Sequence, residues 1–382
     1  MMKQFLFLST ALAFANVPRA GRTGTHDLRD LQNVTNQTVI LFGLEDVQAA
    51  VQAELAIHNS IANDMTSTLV APVSSRIVPD ASGMMLDGDM AEVDEYGRVR
   101  TQKVGTPEQI GIPIKRYQFG VGFTADYLHR ATPAQVALAT LNAQSADIRN
   151  TIRQVRNTLF NPTNSTFVDW LRDNMSLSLK ALYNADGVAP PMGPNGETFD
   201  GTHNHYMAFT AFTPAALDAL INNVAEHSNN NRLETYINVA QEATVRTFPG
   251  FTAAVDPNIV VATTQSITVQ RLDTGRSNNR LIGRYNGTDV WVKSWIFPNY
   301  GAVANAAAAV PAIGRREPTG EDAVVGTPGL RMVGQIVTFP LQSEYWGREI
   351  GFGVRNRGVA AVAQFNAATA GVYQDPTLGG TL

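Results

Sequence analysis

Ala134, Leu138, Leu141, Ser145, Ile148, Ile152, Val155 and Leu159 recur at alternating steps of four and three residues. An apolar seam with that period, broken only at Ser145, fits an α-helix and not a strand. Thr132 supplies an N-cap, Pro133 takes the first helical position, and Gln135 completes a capping box. A helix from Pro133 to Phe160 is about 42 Å long at roughly 1.5 Å per residue. Gln144, Asp147, Arg149, Arg153 and Arg156 fall on its other faces, and the strand YQFGVGF, from Tyr117, leads into it through TADYLHRA. So long a helix near the middle of the chain reads as a beam on which other elements are mounted.

Upstream, Phe5–Ala15 after Lys3 has the pattern of a secretory signal peptide, and equally of an apolar arm that packs on a neighbouring subunit. Residues 17–43 are polar and turn-rich, as in a tethered arm. A helix follows, with Leu44, Val47, Val51, Leu55, His58 and Ile61 along one side. Between Thr68 and Ile114 the chain is extended and turn-rich, and lacks a good apolar face. MAEVDEYGRVRTQKV reads there as a hairpin around Asp94–Gly97. Glu92, Asp94 and Glu95 lie on one arm; Arg98, Arg100 and Lys103 lie on the other. A two-stranded hairpin without a core face is marginal alone, so another surface is expected to hold it.

Downstream, FVDWLRDNMSLSLKALYN reads as a second amphipathic piece, with Phe167, Trp170, Leu171, Leu177, Leu179 and Leu182. Gly187–Thr202 is a proline- and glycine-rich loop, and Thr213-Pro214 opens another helix with Leu217, Leu220, Ile221 and Val224 toward the core. TYINVAQEATVRTF, NIVVATTQSITVQRL, RLIGRYNGTDVWVKSWIF and LRMVGQIVTFPL read as strand-rich, with a tight turn at Asn286–Gly287. Ala302–Gly326 reads as a loop, and REIGFGVRNRGVAAVAQF as a strand pair about Asn356–Gly358.

The chemistry-bearing patterns are sparse. With no cysteine there is no disulfide framework, thiolate metal site or cysteine nucleophile. No GxxxxGK[ST], GxSxG or HExxH motif occurs, and the glycine-bearing strands at Gly120 and Gly351 lack the GxGxxG spacing. His203 and His205 form a His-x-His pair of the cupin kind. Gly196 lies too far upstream for that pattern, and Tyr206–Phe212 contains no glutamate. The pair is therefore read as two rings fixing a turn, with His26, His58, His129 and His227 scattered elsewhere. No catalytic residue, metal or cofactor is expected. A net charge of −4 argues against a dedicated nucleic-acid reader, and a charged fraction of 16% leaves a largely neutral surface, suited to burial by partners. No apolar run is long enough to span a membrane.

In their order, these features resemble the major capsid proteins of tailed bacteriophages: arm and helix, extended hairpin, strand into a long helix, FDGTHNHY, RYNGTDVWVKSWIF and the closing REIGFGVRNRGVAAVAQF. The resemblance runs from Leu44 to Leu378 and implies an α+β, Hong Kong 97-type fold. It implies an N-terminal arm and helix at 1–67, an extended loop at 68–116, and a peripheral domain at 117–205 around a spine helix, 133–160. An axial domain at 206–326 and a return to the peripheral domain with a C-terminal tail at 327–382 complete it. It further implies a homo-oligomer of pentamers and hexamers in an icosahedral shell enclosing double-stranded DNA without sequence-specific binding. Portal and decoration proteins would be partners, and the location would be the virion, assembled in the host cytoplasm. The arm is too short for a built-in scaffolding region, so a separate scaffolding protein is expected; a Lys103–Asn356 crosslink is not. Contacts between subunits are expected from Glu92, Asp94, Glu95, Arg98, Arg100, Lys103, Arg149, Arg153 and Arg156. An encapsulin-like compartment and a secreted or envelope protein are the alternative readings.

Overall fold

A computed structural model describes residues 31–38, 68–82, 107–124, 130–228, 232–254, 261–263, 266–268, 279–338 and 341–377, with shorter runs between 42 and 59 and between 90 and 97. The arm at Phe5–Ala15 lies outside the described residues, as do Leu44 and Ile61. In chain order the elements begin with β1 (Val70–Val73), β2 (Ile77–Pro79), β3 (Gln109–Gly111), β4 (Lys115–Thr124) and α1 (Pro133–Phe160). Next come β5 (Ser165–Asp169), β6 (Met175–Leu179), β7 (Tyr206–Ala208), α2 (Pro214–Ala225), β8 (Leu233–Ile237) and α3 (Val239–Val245). The short strands β9 (Thr252–Ala253), β10 (Val261–Thr263) and β11 (Ser266–Thr268) precede β12 (Asn279–Tyr285) and β13 (Thr288–Lys293). The chain ends with β14 (Tyr300–Asn305), β15 (Ile313–Arg316), β16 (Arg331–Thr338), β17 (Leu341–Val354) and β18 (Ala360–Gln364).

Two compact units share this chain. One comprises described residues within Met1–Ala62, Gln118–Asp147 and Leu330–Gly347. Its core gathers Val47, Val51 and Leu55, from the helical positions before residue 60, with Ala137, Ala143, Leu330 and Trp346. Strand β16 pairs antiparallel with the first half of β17, Thr338 facing Leu341. The other unit comprises Asn63–Tyr117, Ile148–Gly329 and Arg348–Leu382. Its seven-stranded sheet runs β7-β18-β14-β8-β13-β12-β9. Helix α2 packs its Leu217, Leu220, Ile221 and Val224 into one core with Ile237, Val290, Val292 and Val303 of that sheet. A second core joins Val155, Leu159 and Phe160 of α1 to Ile313, Ile350 and Phe352.

Helix α1 spans the expected 28 residues. The Gln135 side chain accepts a hydrogen bond from the Thr132 N–H at 3.0 Å, the reciprocal half of the capping box. Its buried face differs from the apolar seam. Leu138 is 58% exposed, whereas Gln144 and Asp147 are buried. His58 meets that shifted face: its Nε2 lies 3.0 Å from Asp147 Oδ2, giving the buried carboxylate a polar partner.

Four other expectations change. The piece after α1 is a hairpin, β5 against β6, with Phe167 facing Leu177. Asp169 O accepts from the N–H groups of Arg172, Asp173 and Asn174, and Asn174 takes a positive φ of 60°, so the chain reverses before a second helix can form. The segment after β8 is helical, because the Asn238 side chain caps Ala240 N–H at 3.0 Å. Ala302–Gly326 is no single loop: it includes most of β14, all of β15 and a 3₁₀ turn at Gly320–Val324. Strands β17 and β18 do not pair with each other; β18 joins β14 and β7 in the seven-stranded sheet. The Asn286–Gly287 turn is as expected, with φ of 43° and 77° linking β12 to β13.

The glycines of IGFGV in β17 have a packing reason. A Cβ at Gly351 would fall well inside van der Waals contact of the Pro113 carbonyl, which is backbone and cannot swing aside. Gly351→Ala is therefore expected to cost about 3 kcal/mol, the upper end for an overpacked core. The midpoint of urea unfolding should fall accordingly; an unchanged midpoint would show that the strand yields.

Candidate functional site

The residues expected to meet neighbours divide into those on the excursion between β2 and β3 and those on α1. Strands β2 and β3 pair antiparallel at the root of the excursion, Pro79 opposite Gln109, and the Asp80 N–H donates to Glu108 O at 2.8 Å. The root is further secured by Arg357, whose side chain is fully buried. Its guanidinium donates to Ala181 O at 2.9 Å, to Asp186 Oδ2 at 2.8 Å and to Glu108 Oε2 at 3.3 Å. Its backbone N–H reaches Asp80 Oδ1 at 3.4 Å. Arg357 holds the Asp186 carboxyl below the usual range, against the upward push of partial burial. Burial raises that of Asp80.

Toward the tip the environment reverses. Glu92 and Glu95 are exposed. Met90, Val93 and Tyr96 are also exposed, Met90 completely and Tyr96 at 74%. Asp94, Arg98, Arg100 and Lys103 lie outside the described residues. On α1, Arg149 and Arg153 are exposed. Arg156 is not part of a free basic stripe: its guanidinium lies 4.1 Å from the Phe297 ring centre, a packed cation–π contact. Partial burial there lowers its pKa.

The structure also brings together histidines that are far apart in sequence. His203 and His205 precede β7, and His227 follows the Glu226 C-cap of α2. The three Nε2 atoms are mutually close: 3.0 Å between His203 and His205, 3.1 Å between His203 and His227, and 2.9 Å between His205 and His227. His205 is fully buried and its Nδ1 donates to Ala360 O at 2.7 Å. Phe199 packs on His203 and His227, and Tyr183 lies edge-on to His205. Glu226 Oε1 stands 3.5 Å from His203 Nε2. Burial pushes the pKa of His205 well down and that of His227 down to about 4. That of His203 is lowered for the same reason. Burial thus favours the neutral form of all three rings. The expected His-x-His pair is present, but His227, read as scattered, completes the cluster. Nothing local in HSNNN announces it; its place one residue beyond the cap of α2 is a tertiary fact.

No protein-family description matches the sequence. No curated protein is similar to it. Solved structures do match. A chain of Mycobacterium phage Patience superposes with a TM-score of 0.62 at 23% identity, covering 94% of this chain and 97% of that one. A chain from the capsid of the native GTA particle gives 0.47 at 14% identity, over 80% and 91% of the two chains. One from the holo-SrpI encapsulin complex of Synechococcus elongatus gives 0.41 at 13%, over 81% and 90%. The first of these supports the architecture. This chain has the mixed helix-and-sheet, Hong Kong 97-type fold that the order of its elements implied.

Proposed function

We propose that this chain is the major capsid protein of a tailed bacteriophage, a non-enzymatic subunit that assembles in many copies into an icosahedral shell around double-stranded DNA. The observation that carries this reading is the contrast along the excursion at 80–108. Its root is paired and tied to a buried arginine, while its tip presents Met90, Val93 and Tyr96 to water. A segment that exposes large apolar side chains in one chain is suited to burial against another. Contacts of that kind are heterologous, joining unlike surfaces of identical subunits, and where their rotation closes they form rings such as pentamers and hexamers. The net charge of −4 suits a wall that encloses DNA without reading its bases. A separate scaffolding protein, a portal and decoration proteins are the partners this role implies, with assembly in the host cytoplasm and residence in the virion.

Electron microscopy of the purified protein, with and without a scaffolding protein, tests the reading. Closed shells are expected; a monodisperse monomer under every assembly condition would overturn it. Absorbance ratios of particles recovered from cells then identify the contents. Nucleic acid supports a virion shell, and a protein cargo without nucleic acid supports an encapsulin-like compartment. Arg153→Glu should leave the circular dichroism and melting temperature of the subunit nearly unchanged while lowering shell yield severalfold, because Arg153 is exposed on α1. Normal yield from that variant would show that this face of the helix is merely solvated.

A further inference from the structure

The geometry points to a structural transition-metal site: His203, His205 and His227 bind one divalent ion of the zinc class, which clamps the 184–205 loop to the end of α2. The first reason is convergence. The three Nε2 atoms form a nearly equilateral triangle with sides of 2.9–3.1 Å. Points about 3 Å apart lie about 1.7 Å from their common centre, so an ion at the usual ~2.0–2.1 Å zinc–imidazole distance sits about 1 Å off their plane. One coordination position is then left open.

The second reason is tautomer. His205 gives its Nδ1 proton to Ala360 O, which leaves Nε2 as a lone pair facing the other two rings. That is the arrangement in which a backbone carbonyl orients a ligating imidazole. Without an ion, three contacts of about 3 Å among ring nitrogens need three hydrogens, and neutral rings offer at most two, because the one ring proton of His205 already goes to Ala360 O. A cation satisfies three lone pairs at once.

The third reason is selectivity. An all-nitrogen set in a cysteine-free chain suits zinc, cobalt, nickel or copper better than magnesium or calcium, which prefer oxygen. Phe199 and Tyr183 close the aromatic walls. Glu226 is half-exposed beside His203, and its carboxylate or a water can take the open position. The ligands come from two places in the chain: the loop that ends at β7, and the residue just beyond α2. The loop holds itself together through the Asn184–Asn204 bridge and backbone bonds such as Ala185 N–H to His203 O and Gly187 N–H to Gly201 O; the ion would fasten it to α2.

The test uses the full chain purified without a histidine tag, stripped with chelator and dialysed against zinc. Mass spectrometry of metal content should find one zinc per chain retained, and the melting temperature should rise on zinc addition and fall on chelation. Cobalt substitution should give a visible d–d absorption that zinc abolishes. His203→Gln and His227→Gln should each lower zinc affinity at least tenfold; His58→Asn, outside the cluster, should not. If a variant does not fold, the wild-type cobalt spectrum and its displacement by zinc still decide the matter. Retention of zinc below one-tenth of an ion per chain, with no cobalt spectrum, would overturn the proposal. So would zinc binding that is unaffected in well-folded His203→Gln and His227→Gln proteins.

Discussion

Arg316→Met is expected to cost about 3–5 kcal/mol of folding stability, because it leaves two carboxylates buried without their main partner. Arg316 is fully buried, and every polar contact of its guanidinium is made inside the protein. It donates to Asp322 at 2.6 and 2.7 Å, to Asp169 Oδ2 at 2.8 Å and to Ile112 O at 2.9 Å. One side chain thus joins the end of β15 to the end of β5, the 3₁₀ turn and the segment after β3. Arg172 stands 3.1 Å from Asp322 and Arg76 3.9 Å from Asp169, so some compensation remains. Urea unfolding followed by circular dichroism measures the loss. Adding Asp169→Asn and Asp322→Asn to the methionine variant should restore much of it, since the uncompensated charges are then gone. A loss under about 1 kcal/mol in the single variant would mean that the two flanking arginines suffice.

Replacing residues 83–106 with a short Gly-Ser linker should abolish shell formation and leave the subunit folded. The pairing of β2 with β3 and the contacts of Arg357 lie on the root side of the cut, so the melting temperature should hold or rise slightly. Shortening a loop lowers its closure entropy by only about 0.6 kcal/mol per halving. Analytical ultracentrifugation should show small species, and electron microscopy no closed particles. Shells of normal size from this variant would show that the tip is dispensable and that other surfaces drive assembly.

The sequence disclosed the length of α1 but not its orientation. Its capping box and apolar period mark its extent, because those signals are local. The buried face includes Asp147, whose partner His58 lies 89 residues away, and no window on the helix contains that information. Strand β6 was legible in principle: MSLSL alternates with period two, but Trp170 and Leu171 just before it extend the apolar spacing into a helix-like pattern. Asn238 was a readable cap for α3, overshadowed by the β-branched residues around it. Of the candidate contact residues, Arg156 looked like Arg149 and Arg153 because spacing along a helix cannot show that Phe297 waits beside one of them. The histidine cluster was half legible for the same reason: a pair two residues apart is visible, and a third ring supplied by a helix end is not.

The buried anchoring of Arg357 places a mechanical limit on how the subunit can change shape. Because one residue binds Glu108 through its guanidinium and Asp80 through its backbone N–H, both ends of the segment between β2 and β3 are held at a single buried side chain. The Tyr183 ring lies 4.8 Å from this guanidinium and 5.5 Å from the His205 ring. One aromatic ring thus touches both the arginine that holds the segment between β2 and β3 and the histidine cluster.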